Sequence, residues 1–199
     1  RANDYLQKIA RAMGVDFTPD FQDKMERTTA ALSLLWSEED QTFYSRLTDS
    51  KTPIDEKTVA SLLPLYSRAI PRKHAVPLMD DLGPYGDFFA PHQVPSVPTD
   101  HPDFREKNFW RGPTWTIVDE RLVDGLEQYE LGGARNSIRS RIVNGVVGRV
   151  AVMGPYEYHS AFTGEALGAP HFSWSAASAL ELVRQHALIY RSLITFRYT

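Results

Sequence analysis

The 199-residue sequence contains no cysteine, so it can form neither a disulfide framework nor a thiolate metal site. A cysteine-free chain fits a reducing, cytoplasmic compartment. No apolar run approaches the roughly 18 residues that a membrane span needs, and no span is expected. The formal net charge of −3 gives no global attraction for nucleic acid, and no nucleic-acid partner is expected. Its local basic group, Arg135, Arg139 and Arg141, reads as the solvated face of a helix. Gly132-Gly133 reads as a helix stop, not a phosphate cradle. The Gly-x-Ser-x-Gly context of a serine nucleophile is missing. His92, His101, His159 and His171 are too dispersed for a zinc set, so neither metal nor cofactor is expected. The first residues, Arg1-Ala2-Asn3-Asp4, show neither an initiator Met nor a signal pattern, so the chain reads as part of a longer polypeptide.

What is present is helical periodicity with aromatic-rich loops. A hydrophobic fraction of 42% is enough for the core of one domain, taken as residues 1–199. Asn3 or Asp4 caps a first helix to Met13, with Gly14 as its stop. Thr18-Pro19-Asp20 opens a second, where Phe21, Met25, Thr28, Leu32 and Leu35 recur at helical spacing up to Trp36. Residues 41–47 read as extended. Further helices are expected over Asp55 to Arg68, with a kink or break at Pro64, and over Arg72 to Leu82, with Pro77 as an irregularity. Helices are also expected over Pro113 to Tyr129, Ala134 to Val147, and Trp174 to Ser192. The long segment from Gly83 to Asn108 reads as a functional loop, because Phe88, Phe89, Val94, Val97 and Phe104 do not suit a solvated tether. This pattern predicts an all-α fold of stacked helical hairpins, about half of a closed toroid.

Two stretches carry chemistry. Phe109-Trp110-Arg111-Gly112-Pro113-Thr114-Trp115 offers Trp110 and Trp115 as stacking faces for a pyranose, and Arg111 as a carboxylate partner. Gly112 permits close backbone approach, and Pro113 suits a first helical turn. Both tryptophans are equally readable as core packing. The second stretch places Glu157 between Tyr156 and Tyr158, ahead of Thr163-Gly164 and Phe172-Ser173-Trp174-Ser175-Ala176-Ala177. A carboxylate in that setting can grip a sugar hydroxyl or take a proton from water, although a surface glutamate before a turn is common. Glu165 reads as a solvated residue in a turn. The chemistry left open is carboxylate work on a neutral, ring-shaped ligand.

Leu63-Pro64-Leu65, Val94-Pro95-Ser96 with Asp103-Phe104, Phe109 to Trp115, Glu157-Tyr158, Thr163-Gly164 and Phe172 to Ala177 together resemble glycoside hydrolase family 63. The likeness is strongest to its bacterial branch of mannosylglycerate and glucosylglycerate hydrolases. It covers nearly the whole chain, in the order of the C-terminal half of that catalytic domain. The resemblance implies an (α/α)6 barrel and hydrolysis of an α-glucoside or α-mannoside with inversion. It implies Glu157 as general base, and Phe109 (a position often Tyr), Trp110, Arg111, Gly112, Trp115, Tyr158 and Trp174 as substrate-site residues, with Arg111 organising the site. The chain departs from the pattern at Ser160-Ala161, where the family often has Asp-Pro, and near Asp119, where it usually has Asn. The Gly-Met-Asp-Asn-like segment that carries the family's general acid is not in this sequence. The resemblance therefore places the acid on an N-terminal half of the same catalytic domain, a partner alongside the carbohydrate substrate. A non-catalytic carbohydrate-binding or assembly module, and a trehalase-like hydrolase of the same clan, are the alternative readings.

Overall fold

Helical periodicity in the sequence becomes helix in three dimensions. The computed structural model describes residues 2–129 and 134–195, giving backbone alone for 134–137 and 186–195. Gly132-Gly133 and the side chain of Arg135 lie outside the described part. Helix α1 spans Ala2–Met13 and α2 spans Pro19–Ser33. Thr18 caps α2 by accepting a hydrogen bond from the Phe21 N–H at 3.3 Å, with Pro19 opening the helix where its missing N–H costs nothing. Trp36 does not end this helix. It begins β1 (Trp36–Ser37), which pairs antiparallel with β2 (Thr42–Phe43) inside the segment expected to be extended. The indole stacks on His74 at 4.1 Å and meets the Phe43 ring edge at 4.9 Å, so long-range aromatic contacts override helical continuation.

The helix expected over Asp55 to Arg68 is broken up. A 3₁₀ turn, Val59–Leu62, is capped by Thr58 and Ser61, and the short α3, Pro64–Ser67, follows it. Pro64 has no N–H to continue the preceding turn, so it starts a new helix. Arg68 ends α3 in a left-handed conformation and pairs with Asp124 at 2.8 Å. Helix α4, Arg72–Asp81, carries Pro77 inside it. Residues 83–108 form an irregular segment, yet Phe88, Val94 and Val97 are buried, which excludes a solvated tether.

Helices α5 (Thr116–Tyr129), α6 (Ala134–Met153) and α7 (Ser173–Thr195) pack against one another, and α3 and α4 pack on α5. Leu122 and Leu126 of α5 share a single core with Leu65, Leu78, Leu82, Ile142, Val146 and Leu182. Each such burial stabilises the fold by about 1.5–3 kcal/mol. Helix α6 runs past the expected end at Val147. Its Arg139 and Arg141 are not a solvated face: Arg139 is buried, and Arg141 donates to the carbonyls of Leu82 and Ala90. Helices α1 and α2 bury no residue, which leaves Leu6, Ile9 and Met13 of α1 exposed.

One buried ion pair joins the irregular segments to this core. Arg149 of α6 contacts Asp119 in the first turn of α5 at 2.6 Å, with both side chains almost wholly excluded from water. Asp119 also accepts from Thr114 Oγ1 at 2.9 Å and from the Val94 N–H at 3.3 Å. Arg149 also donates to the His92 carbonyl at 2.6 Å and to Thr116 Oγ1 at 3.3 Å. Burial pushes the Asp119 carboxyl above its usual range, opposed by Arg149, Thr114 and the Val94 N–H. Thr114 in turn exchanges two backbone hydrogen bonds with His159, at 2.8 and 3.0 Å. Pro113, expected in a helical turn, is instead extended here; its carbonyl accepts from Ser96 N, and the helix waits until Thr116.

Replacing Arg149 with Met leaves the Asp119 carboxylate buried without its cation. Denaturant unfolding of the complete protein should then show a loss of about 3–5 kcal/mol. Burial, with Arg149 nearby, also lowers the His159 pKa from 6.5 to about 4. The folded state holds this imidazole neutral, whereas the unfolded chain binds a proton below pH 6.5. Stability should therefore fall as pH drops from about 6.5 towards 4, by up to about 3 kcal/mol. Thermal melts across that window should show a flatter profile for His159→Gln.

Candidate functional site

The loop before α5 and the hairpin before α7 meet over the buried ion pair. Residues 105–111 close into a tight loop: Asn108 N bonds Arg105 O at 3.0 Å, and Arg111 N bonds Asn108 O at 2.8 Å. Phe109 sits within it at φ 40°, a left-handed strain of the kind that clusters at functional sites. Its carbonyl accepts from Trp115 Nε1 at 3.3 Å. A Cβ on Gly112 would lie 2.6 Å from the Arg105 carbonyl oxygen, so only glycine lets the chain fold back this closely.

The loop builds an aromatic platform. The Trp110 and Trp115 indoles stack at 4.0 Å with their planes 4° apart, and Tyr158 stacks on Trp115 at 4.9 Å. Phe109 presents its edge to Trp115 and Tyr158 at 5.0 and 5.6 Å. Trp115 is only 4% exposed, whereas Trp110 keeps 43% of its surface in solvent. Trp115 and Gly112 are buried, with neighbouring groups packed against them. Arg111 is exposed, and its guanidinium has no partner among the described residues, so the loop is organised by Arg111 backbone bonds.

Glu157 precedes β3 (Tyr158–His159), which pairs antiparallel with β4 (Ala166–Leu167). Its backbone N–H bonds Ala169 O at 2.9 Å, and its Oε2 accepts from Ala169 N at 3.3 Å. The half-buried carboxylate is thus fixed at one oxygen, and Oε1 has no partner among the described residues. Gly168, directly after β4, adopts φ 73°, and a Cβ there would stand 2.7 Å from Glu157 Oε2 and 2.7 Å from Tyr158 Cε1. The glycine therefore marks where the carboxylate meets the platform. Trp174 lies in the first turn of α7, exposed, and its ring touches Phe172 at 5.5 Å, not the Trp110 stack. Phe172 N bonds the Pro155 carbonyl at 2.7 Å, which keeps Trp174 on the loop that carries Glu157.

Sequence reasoning did not find the groups that hold the two segments together. Ser160 Oγ donates to Glu106 at 2.5 Å and accepts from the N–H groups of Phe162 and Thr163. Glu106 thus supplies a carboxylate across the loops at the point where Ser160 departs from the family's Asp. Thr114, Asp119 and Arg149 were equally unmarked, although the departure at Asp119 was a usable signal. Glu165 is exposed and pairs with Lys107. Among the described residues, no cluster of three or more His, Asp or Glu side chains is placed to hold a metal. No described helix is long and apolar enough to cross a membrane.

Residues 1–175 match the mannosylglycerate hydrolase MGH1-like glycoside hydrolase domain. The chain is 29% identical over 180 residues to a mannosylglycerate hydrolase of Thermus thermophilus, covering 90% of this chain and 42% of the relative. It is 30% identical over 132 residues to a glucosylglycerate hydrolase of Mycolicibacterium hassiacum, covering 63% of this chain and 28% of the relative. The crystal structure of the family 63 mannosylglycerate hydrolase of Thermus thermophilus with Tris and D-glycerate superimposes with a TM-score of 0.81 at 29% identity, covering 90% of this chain and 42% of that one. The chain thus spans about two fifths of the first of these relatives, and its all-α fold is that of about half of an (α/α)6 barrel, as expected. With most of its length matched, the chain belongs to the mannosylglycerate hydrolase MGH1-like glycoside hydrolases of family 63.

Proposed function

We propose that the complete protein is an inverting α-glycosidase acting on a small α-mannoside or α-glucoside such as mannosylglycerate or glucosylglycerate, with Glu157 as its general base. The observation that carries this reading is the Glu157 carboxylate itself. It is half-buried, tied at Oε2 to the Ala169 N–H, without a described partner at Oε1, and beside Tyr158, the inner ring of the aromatic platform. A carboxylate held this way keeps a fixed aim while retaining a lone pair for the proton of an attacking water. Membership of the hydrolase family and the names of the matched relatives support the substrate class.

Inversion needs a second carboxyl group on the opposite face of the sugar, about 6.5–9.5 Å from the base, to protonate the leaving oxygen. The general acid belongs, on this reading, to an N-terminal half of the same catalytic domain. The sugar ring lies against the exposed face of Trp110, with Phe109 at its border. Water then enters from the Glu157 side, and the glycosidic oxygen leaves towards the acid.

In the complete enzyme, Glu157→Gln keeps the hydrogen bond to Ala169 in shape but removes the proton acceptor. Steady-state kinetics on mannosylglycerate and glucosylglycerate should show kcat reduced by about 10²–10⁴-fold with binding largely retained. Proton NMR of the wild-type reaction should show the β anomer of the free sugar first. Early accumulation of the α anomer would exclude inversion. Trp110→Ala should weaken substrate binding by about tenfold, read as a higher KM or as a higher Kd measured on the inactive Glu157→Gln protein.

A further inference from the structure

The Glu157 hairpin has two edges. One edge is β4 together with the Ala169 N–H that fixes the carboxylate. On the other edge, the Thr114 N–H donates to the His159 carbonyl at 2.8 Å, and the His159 N–H donates back to the Thr114 carbonyl at 3.0 Å. His159 lies two residues after Glu157, so the position of Thr114 sets the height of the strand carrying the carboxylate. Thr114 also bridges Pro95, and it is wholly buried between the two neighbouring segments.

The hydroxyl of Thr114 is spent on a single acceptor, Asp119 Oδ2, at 2.9 Å. That oxygen also faces Arg149 Nη2 at 2.6 Å, while Asp119 Oδ1 takes the Val94 N–H at 3.3 Å. Asp119 is 0% exposed, so it cannot touch a sugar and is not a catalytic residue. Its acceptor is charged, and a hydrogen bond to a charged partner is roughly twice as strong as a neutral one. The threonine rotamer, and with it the backbone that pairs with His159, is therefore set from the interior of the α5–α6 packing. Arg149 reaches the same region by a second path, through the His92 carbonyl at 2.6 Å and the bond from His92 N to the Ala161 carbonyl at 2.8 Å.

We propose that Thr114 and Asp119 are positioning residues for Glu157: the Arg149-held carboxylate of Asp119 locks Thr114, and Thr114 locks the strand that aims the base. This rests on the general-base reading of Glu157. It adds a dependence of turnover on a hydroxyl that meets neither substrate nor water.

The test uses the complete enzyme and mannosylglycerate hydrolysis. Thr114→Val replaces the hydroxyl with a methyl group of similar size, Thr114→Ala removes the bond without overpacking, and Thr114→Ser keeps it. The Val and Ala variants should lose roughly tenfold to a hundredfold in kcat with KM within about twofold, the signature of a misaimed reacting group, while the Ser variant stays close to wild type. If the Val protein does not fold, the Ala protein carries the comparison. An unchanged kcat in Thr114→Ala, or an equal loss in Thr114→Ser, would overturn the proposal. Glu157→Gln measured in parallel separates the two ideas. An active Glu157→Gln enzyme removes the base reading, and the proposal with it. An inactive one beside an unimpaired Thr114→Ala enzyme removes the positioning role alone.

Discussion

The Asp119–Arg149 ion pair is the constraint on which the irregular half of this structure depends. Two charges taken out of water carry a desolvation cost of several kcal/mol each, recovered only when the remaining donors and acceptors find good partners. Most do here: the carboxylate receives Arg149, Thr114 and the Val94 N–H, and the guanidinium reaches Thr116 and the His92 carbonyl, while Arg149 Nε is buried without a hydrogen-bond partner among the described residues. Thr114, Val94 and His92 belong to segments with little regular structure of their own. The pair thus converts the rigidity of two packed helices into fixed positions for the 92–96 segment, the approach to α5 and, through Thr114, the hairpin of Glu157. A hydrophobic substitute of the same volume could fill the space but could not direct three chain segments at once.

The departures from the family pattern have a common physical character. At position 160 a short hydroxyl donates to a carboxylate that Glu106 brings from the facing loop. At position 119 a carboxylate is buried, and Arg149 pairs with it at 2.6 Å. In both places a carboxylate joins segments far apart in the sequence.

Much of this was legible in the sequence, and the remainder was hidden for identifiable reasons. Caps and periodicity placed α1, α2, α4 and α5 to within a few residues, because Thr18, Pro19 and Gly14 act locally. The 55–68 helix failed because Pro64 divides it and because tertiary packing, not propensity, selects short turns there. Trp36 left its expected helix for partners at positions 43 and 74, which no local rule can see. At the site, the motif around Glu157 was readable, but the burial of Trp115 was not. A tryptophan that supports a platform and one that meets a sugar look alike until their neighbours are known. Arg139 and Arg141 of α6 misled for the same reason: cations on a helix suggest water, whereas Arg139 faces the Glu127 carboxylate and Arg141 donates to the Leu82 and Ala90 carbonyls.

The parallel indoles of Trp110 and Trp115, 4.0 Å apart, have an optical consequence. At that separation their electronic transitions couple, so the pair behaves as one chromophore whose circular dichroism reflects the geometry of the stack. One of its outer faces is covered by Tyr158, and the Trp110 side is open to solvent. Whatever settles on that side perturbs a signal generated inside the protein, and the chain therefore carries an intrinsic spectroscopic reporter of its own platform.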